Sequence, residues 1–185
     1  ILKQPPFDWK GALTHYIKSF IKNDFTWKRP ARRSAAIGQI LPGNNVEADI
    51  KLGIALDTSG SITDTMVQDF LSHINKIMSS FRKYEIEVWC FSTQVHEKTL
   101  RKYTKTSNNL SDFQIESFGG TDIASNFKYI SDNKKKYDCF ICMTDGYDNI
   151  SDLQYNQPLI WAILQNNSFT NPVGCKKAKI IQIEG

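Results

Sequence analysis

Histidine is scarce in this sequence, at three residues in 185, and His15, His73 and His96 stand far apart. The H-E-x-x-H signature of zinc peptidases is absent: His96-Glu97 is followed by Lys98, Thr99 and Leu100. No histidine lies where a Ser–His–Asp site needs its base, which removes that class of nucleophilic catalysis. A G-x-x-x-x-G-K-[ST] loop is missing too, and so is a dinucleotide fingerprint, which excludes the common phosphate cradles. No apolar run approaches the roughly 20 residues that span a bilayer. Neither a starting Met nor a charged-then-apolar leader opens the chain at Ile1, so it reads as part of a longer or processed protein.

Cysteine is sparse as well. Cys90, Cys139, Cys142 and Cys175 are the four, and the first three sit in strand-like runs. Cys139 and Cys142 form a C-x-x-C, but residues three apart on a strand point to opposite faces and cannot share a tetrahedral metal. Core thiols are the reading, which suits a reducing compartment and hence the cytoplasm.

The net charge of +4 is unevenly spread. Residues 1 to 45 carry eight basic and two acidic side chains, a net +6, which leaves −2 for residues 46 to 185. The basic stretch "WKRPARR" invites a nucleic-acid reading, since arginines pair with phosphates and aromatics stack on bases. The opposite charge of the body favours an extension that packs on it, with Phe25 and Trp27 buried; a nucleic-acid partner is not expected.

Hydrophobic periodicity orders the chain. Residues 8 to 22 have helical spacing behind Asp8 as N-cap, and Pro30 argues for irregular structure from 24 to 34. "LPGNN" (41 to 45) reads as a turn or linker. Two units follow: an N-terminal helical extension, 1 to 45, and a main domain, 46 to 185. In the main domain, strands are expected at 48–57, 85–92, 138–146, 158–164 and 178–183, with a polar edge strand at 95–104. Helices are expected at 64–82 and 122–131. Strands alternating with helices predict an α/β fold: a doubly wound, mainly parallel sheet with helices on both faces.

In such sheets ligands bind beyond the carboxyl ends of the strands. Three polar clusters fall there: "DTSGS" after the first strand, "GGTD" (119–122) before a helix, and "TDG" (144–146) after "CFICM". They offer Asp57, Ser59, Ser61, Thr121 and Asp145, two carboxylates and three hydroxyls. These are hard oxygen donors without imidazole or thiolate, so the set suits Mg²⁺, Mn²⁺ or Ca²⁺ rather than zinc. Ser59 and Ser61 are two apart, so an extended turn aims both the same way. Neutral hydroxyls leave an ion partly unneutralised, which favours an incoming carboxylate in a remaining position.

D-x-S-x-S after the first strand, a threonine in G-G-T-D and a later T-D-G resemble the metal-ion-dependent adhesion site (MIDAS) of von Willebrand factor A (VWA) domains. The resemblance implies Ser59, Ser61 and Thr121 as hydroxyl ligands, Asp57 and Asp145 as direct or water-mediated ones, and an Asp or Glu of a protein partner as the last ligand. More narrowly, "DFTWKRPARR", "ILPG" and "PLIWAIL…NPVGCKKAKIIQI" resemble VWA-like domains that follow a predicted metallopeptidase region in bacterial and phage proteins. That likeness implies an AAA+ ATPase as a partner and places any zinc region before Ile1.

The expectation is therefore a metal-dependent protein-binding module and not an enzyme. Two alternatives stand beside it. One is an accessory domain of a metallopeptidase-type protein. The other is an aspartyl phosphotransferase with Asp57 as nucleophile, although Ser59 stands where such enzymes need a second aspartate.

Overall fold

The structure, a computed structural model, describes residues 8–21, 25–30, 36, 38, 42–44, 50–59, 62–107, 109–116 and 118–183, with side chains left out for 25–30 and 42–44. The first helix, α1, spans Trp9–Ile21. Asp8 caps it, accepting the N–H of Gly11 on Oδ1 at 2.9 Å. Strands β1 (Phe25–Pro30) and β2 (Pro42–Asn44) then pair antiparallel. This corrects the irregular stretch and the linker expected there. Pro30 ends one strand and Pro42 begins the other, positions where a missing N–H is tolerated. The burial expected for Phe25 and Trp27 lies outside the described side chains.

The main sheet has six strands: β3 (Ile50–Asp57), β4 (Tyr84–Phe91), β5 (Val95–Thr104), β6 (Cys139–Thr144), β7 (Leu159–Leu164) and β8 (Ala178–Ile183). Their order is β5-β4-β3-β6-β7-β8. All neighbours run parallel except β5, which lies antiparallel on the edge beside β4. The chain winds outward from β3 to β5, then returns to the other side of β3 through β6. The sheet's switch point is thus between β3 and β6.

Helix α2 (Asp64–Ser79) connects β3 to β4. Thr63 caps it by accepting the Met66 N–H, and Val67, Phe70, Leu71, Ile74, Ile77 and Met78 bury one stripe. Each such side chain contributes on the order of 2 kcal/mol on burial. The stripe packs on Leu52, Ile54 and Leu56 of β3 and on the same face of β4 and β6. Helix α1 covers this face too, through Leu13 and Ile17. It is pinned to α2 where His73 Nε2 meets Thr14 Oγ1 at 3.1 Å and the Lys10 carbonyl at 3.0 Å, and where Lys10 pairs with Asp69 at 2.8 Å.

The opposite face is aromatic. Phe140 stacks on Trp89 at 5.6 Å and meets Phe127 edge-on at 5.5 Å. Helix α3 (Ala124–Asp132) covers this face with Phe127 and Ile130, and loops supply Tyr137, Ile150 and Tyr155. Cys139 lies in the first core and Cys142 in the second, so the C-x-x-C straddles the sheet. All four thiols are free and buried, and burial pushes each above its ordinary range. Among the described residues no helix is long and apolar enough to cross a membrane.

Candidate metal centre

The central strand β3 is hydrogen-bonded on both sides, and its last residue, Asp57, is fully buried. A buried carboxylate must be satisfied or neutralised. Both oxygens are met: Oδ1 accepts the Ser59 N–H at 3.0 Å and Oδ2 accepts the Thr144 hydroxyl at 2.6 Å. The Ser59 side chain bonds the carboxylate too, and of a carboxylate's roughly four lone-pair positions about one remains for another ligand. The next residue, Thr58, alternates to the other side. Its hydroxyl reaches the carbonyls of Phe91 at 3.0 Å and Phe118 at 3.2 Å, and accepts the Phe118 N–H at 3.3 Å. Thr58 thereby ties the 118–122 loop to the crest of the sheet.

From the adjacent strand comes T-D-G. Asp145 Oδ2 accepts from Ser59 Oγ at 3.4 Å, and Oδ1 accepts the Tyr147 N–H at 3.2 Å. The Asp145 carbonyl accepts from Asn166 Nδ2 at 2.9 Å, which fixes it from the loop after β7. Gly146 turns the chain at φ +70°, and a Cβ there would stand 2.5 Å from the Phe169 ring, so any other residue would be strained and would have to displace that ring.

Thr121 is half-buried in the third cluster. Its neighbours anchor it: the Asp122 N–H donates to the Ser92 carbonyl at 2.8 Å, and the Ile123 N–H donates to Asp148 Oδ2 at 2.8 Å. The loop is thus tied to the end of β4 and to the loop after β6, while Asp57, Ser59 and Asp145 meet directly. Ser61 lies outside the described residues.

Electrostatics mark the pair of aspartates. Burial pushes the Asp57 carboxyl above its ordinary value; the hydrogen bonds from Thr144 and Ser59 oppose this, and the negative charge of Asp145 adds to the rise. Among the described residues no group of three or more His, Cys, Asp or Glu is placed to hold a metal ion. Asp57, Ser59 and Asp145 present a different donor set, two carboxylates and one hydroxyl, whose hard oxygens are of the kind a hard divalent cation takes.

Thr144, Thr58 and Asn166 were not singled out in the sequence. The signal for Thr144 was in plain view, in T-D-G, because a buried aspartate needs a donor from the next strand. Asn166 lies in "LQNN", which carries no spacing cue.

A family model described as VWA-like domain (DUF2201) matches residues 52–184. An uncharacterized protein of Thermotoga maritima is 28% identical over 151 residues, which is 80% of this chain and 36% of that protein. The crystal structure of the ArnB paralog VWA2 from Sulfolobus acidocaldarius aligns with a TM-score of 0.53 at 14% identity, over 74% of this chain and 41% of that one. That likeness is one of fold. The chain thus spans between a third and a half of the length of each.

Proposed function

The chain belongs to the VWA-like domain (DUF2201) family, and on that premise we propose that it is a binding module that takes a protein partner at a divalent cation. The observation that carries this is the convergence of Asp57, Ser59 and Asp145 at the ends of β3 and β6, with Ser59 Oγ 3.4 Å from Asp145 Oδ2. That is the switch point of the sheet, where open α/β folds bind ligands.

Asp57, Ser59, Asp145, Thr121 and Ser61 would hold Mg²⁺, with Mn²⁺ and Ca²⁺ as substitutes. The cation supplies positive charge and an open coordination position that suits an Asp or Glu of the partner. The chain's own residues do the rest. Thr144 orients Asp57, Asn166 holds the Asp145 backbone, and Thr58 fixes the loop that carries Thr121. The role is recognition rather than catalysis. Asp57 makes a poor nucleophile, because it is fully buried and hydrogen-bonded through both oxygens.

The wider setting follows the same reading. The module serves a longer polypeptide, in keeping with its match to 36% of the Thermotoga relative. A metallopeptidase-type region and an AAA+ ATPase partner are the associations its sequence motifs favour. A site in a reducing cytoplasm accords with four free, buried thiols.

Calorimetric titration with MgCl₂ and MnCl₂ tests the centre. The wild type is expected to bind one ion, and Asp57→Ala none, with an unchanged far-UV spectrum. Equal metal affinity in the two proteins removes the site.

A further inference from the structure

The amino end of the sheet carries chemistry that the crest does not use. Strand register sets Lys51 of β3 directly opposite Glu85 of β4, and Glu85 opposite Thr104 of β5. Opposite residues point to one face. Here it is the aromatic face, because the next row holds Gly53 against the Tyr137 ring and Glu87 against the Tyr137 hydroxyl. Beyond that row the face opens into a cleft of about 480 Å³, lined by residues of three separate segments, 51, 82–85 and 104–106.

An ion pair between Lys51 and Glu85 is expected across the ladder, but Glu85 turns to Lys102 instead, at 3.9 Å. The other carboxylate at hand, Asp138, accepts the Lys51 backbone N–H at 2.7 Å. Among the described residues the Lys51 ammonium itself makes no hydrogen bond or ion pair. Lys105 lines the same cleft from the turn after β5. Its Nζ donates to the Phe81 carbonyl at 3.0 Å, and an ammonium has three protons to give. The turn is stiffened by the Thr104 N–H, which donates to Ser107 Oγ at 2.6 Å, and the Thr104 and Thr106 hydroxyls meet at 3.3 Å. Arg82 and Lys83 line the cleft from the connection between α2 and β4; both hold contacts of their own, and they add positive field rather than vacant donors.

Among the described residues, the lining thus gathers four cations around one half-buried carboxylate, Glu85. A run of lysines within one segment is an ordinary solvated face. Cations brought together from three segments into a concavity focus a positive potential there. Like charges lining one cleft also repel, a cost to the empty fold that a bound anion offsets.

Charge and shape choose the anion. A carboxylate is planar and presents two oxygens to one side. The donors here come from two rims and the floor, which suits the tetrahedral oxygens of a phosphate, and threonine hydroxyls beside lysine and arginine are common phosphate contacts. Four cations exceed what a single phosphate needs, and the volume admits a larger ligand. A concave pocket favours a compact anion over a nucleic-acid chain, which wants a groove that tracks its backbone. We infer that this cleft binds a small molecule carrying a di- or triphosphate group, with the Lys51 and Lys105 ammonium groups as its principal contacts. Side chains here do the work of the backbone cradles that the sequence lacks. Lys51 and Asp57 stand six residues apart on one strand, about 20 Å, so the site is separate from the crest and does not rest on the metal-centre reading.

Calorimetric titration of the whole chain tests this, in HEPES with EDTA so that no divalent cation competes. The probes are inorganic phosphate, pyrophosphate, tripolyphosphate, ATP and a single-stranded oligothymidylate. Expected is binding of tripolyphosphate tighter than that of phosphate by about tenfold or more, with pyrophosphate between them. ATP bound more tightly than tripolyphosphate supports a nucleotide as the source of the group, and the reverse order a free oligophosphate. Lys51→Gln and Lys105→Gln should each weaken tripolyphosphate by about fivefold or more, with an unchanged urea midpoint. Lys128→Gln removes the same charge from α3, outside the lining, and should weaken it by less than about twofold. Equal losses in all three variants would show that net charge alone attracts the anion, and overturn the site. An affinity that does not rise from phosphate to tripolyphosphate does the same. Oligothymidylate bound more tightly than tripolyphosphate overturns the small-molecule occupant in favour of nucleic acid.

Discussion

Thr144 donates its hydroxyl proton to Asp57 Oδ2 at 2.6 Å, joining the carboxyl ends of two adjacent parallel strands. The same hydroxyl accepts the Gly146 N–H at 3.1 Å, so one side chain orients the first aspartate and shapes the turn that presents the second. Thr144→Val keeps the shape and removes both bonds. It is expected to destabilise the fold by about 1–2 kcal/mol, since a buried carboxylate loses a donor. Mg²⁺ affinity should fall at least in proportion. Urea unfolding and calorimetry measure the two effects; a variant with unaltered affinity would show that Asp57 needs no such orientation.

Asp57 carries the second prediction. Its charge costs stability in the absence of a cation, because burial and Asp145 both disfavour ionisation. Asp57→Asn removes the charge and keeps an acceptor for Thr144. Its carboxamide has one acceptor where the carboxylate has two, so the Ser59 N–H loses its partner; in EDTA the relief of the buried charge is expected to offset that loss and leave the variant melting close to wild type. In excess Mg²⁺ the wild type should gain, at a hundredfold excess over Kd, about 2.7 kcal/mol, and the variant nothing. A thermal shift series in EDTA and MgCl₂ checks both. A Mg²⁺-induced rise that survives in Asp57→Asn contradicts the role given to this carboxylate.

How far the sequence carried this reading differs by element. The stripe from Val67 to Met78 announced itself because burying one face imposes its period, and the run Leu52–Leu56 because a strand buried on both faces has no polar alternation. The carboxyl ends of the strands followed as the ligand edge, and with them the neighbourhood of Asp57 and Asp145, whereas the switch point between β3 and β6 emerges only from the strand order. The pairing of Phe25–Pro30 with Pro42–Asn44 was not legible. Its prolines read as breakers, and only tertiary context shows that they sit at strand ends. Helix α1 was visible as a helix, but its lock through His73 was not: a single histidine on α2 has no period and gains its meaning from a partner 59 residues away.

Asn166 supplies a third prediction. It is buried, and it joins the ends of three strands: its Nδ2 holds the Asp145 carbonyl after β6, its own carbonyl follows β7, and that carbonyl accepts from Gln182 Nε2 of β8 at 3.1 Å. Asn166→Ala leaves the carbonyl and removes the amide. The expected cost is about 1–3 kcal/mol from the buried groups left unpaired. The Asp145 turn should loosen as well, seen as faster amide hydrogen exchange at Gly146 and Tyr147 with β3 unaffected. Exchange that stays slow at those two amides would mean the turn is held by Gly146 and Tyr147 alone.

Glu87 gives a pH dependence that separates the frame from the site. It lies on the aromatic face of β4, nearly enclosed, with Lys102 at 2.8 Å on one oxygen and both Lys135 and the Tyr137 hydroxyl on the other. Burial alone would raise its carboxyl, but the hydrogen bonds from Lys102, Lys135 and Tyr137 outweigh it and hold the group at about 2, below the ordinary 4.5. The folded state therefore binds its proton less readily than the unfolded chain. The resulting stability is fully present above about pH 5 and is lost as pH falls from there toward 2. Lys102 is 58% exposed, so screening reduces the contribution to on the order of 2 kcal/mol. Asp57 has the opposite sign, since its raised value makes the cation-free fold lose stability as pH rises above the ordinary aspartate range. Glu87→Gln is expected to be less stable than wild type at pH 7, with the gap in urea midpoint narrowing by more than half at pH 3. The gap should not respond to Mg²⁺, because Glu87 belongs to the lysine cluster and not to the crest of the sheet. A gap that stays constant between pH 7 and pH 3 would mean that Lys102, Lys135 and Tyr137 position Glu87 without holding its charge.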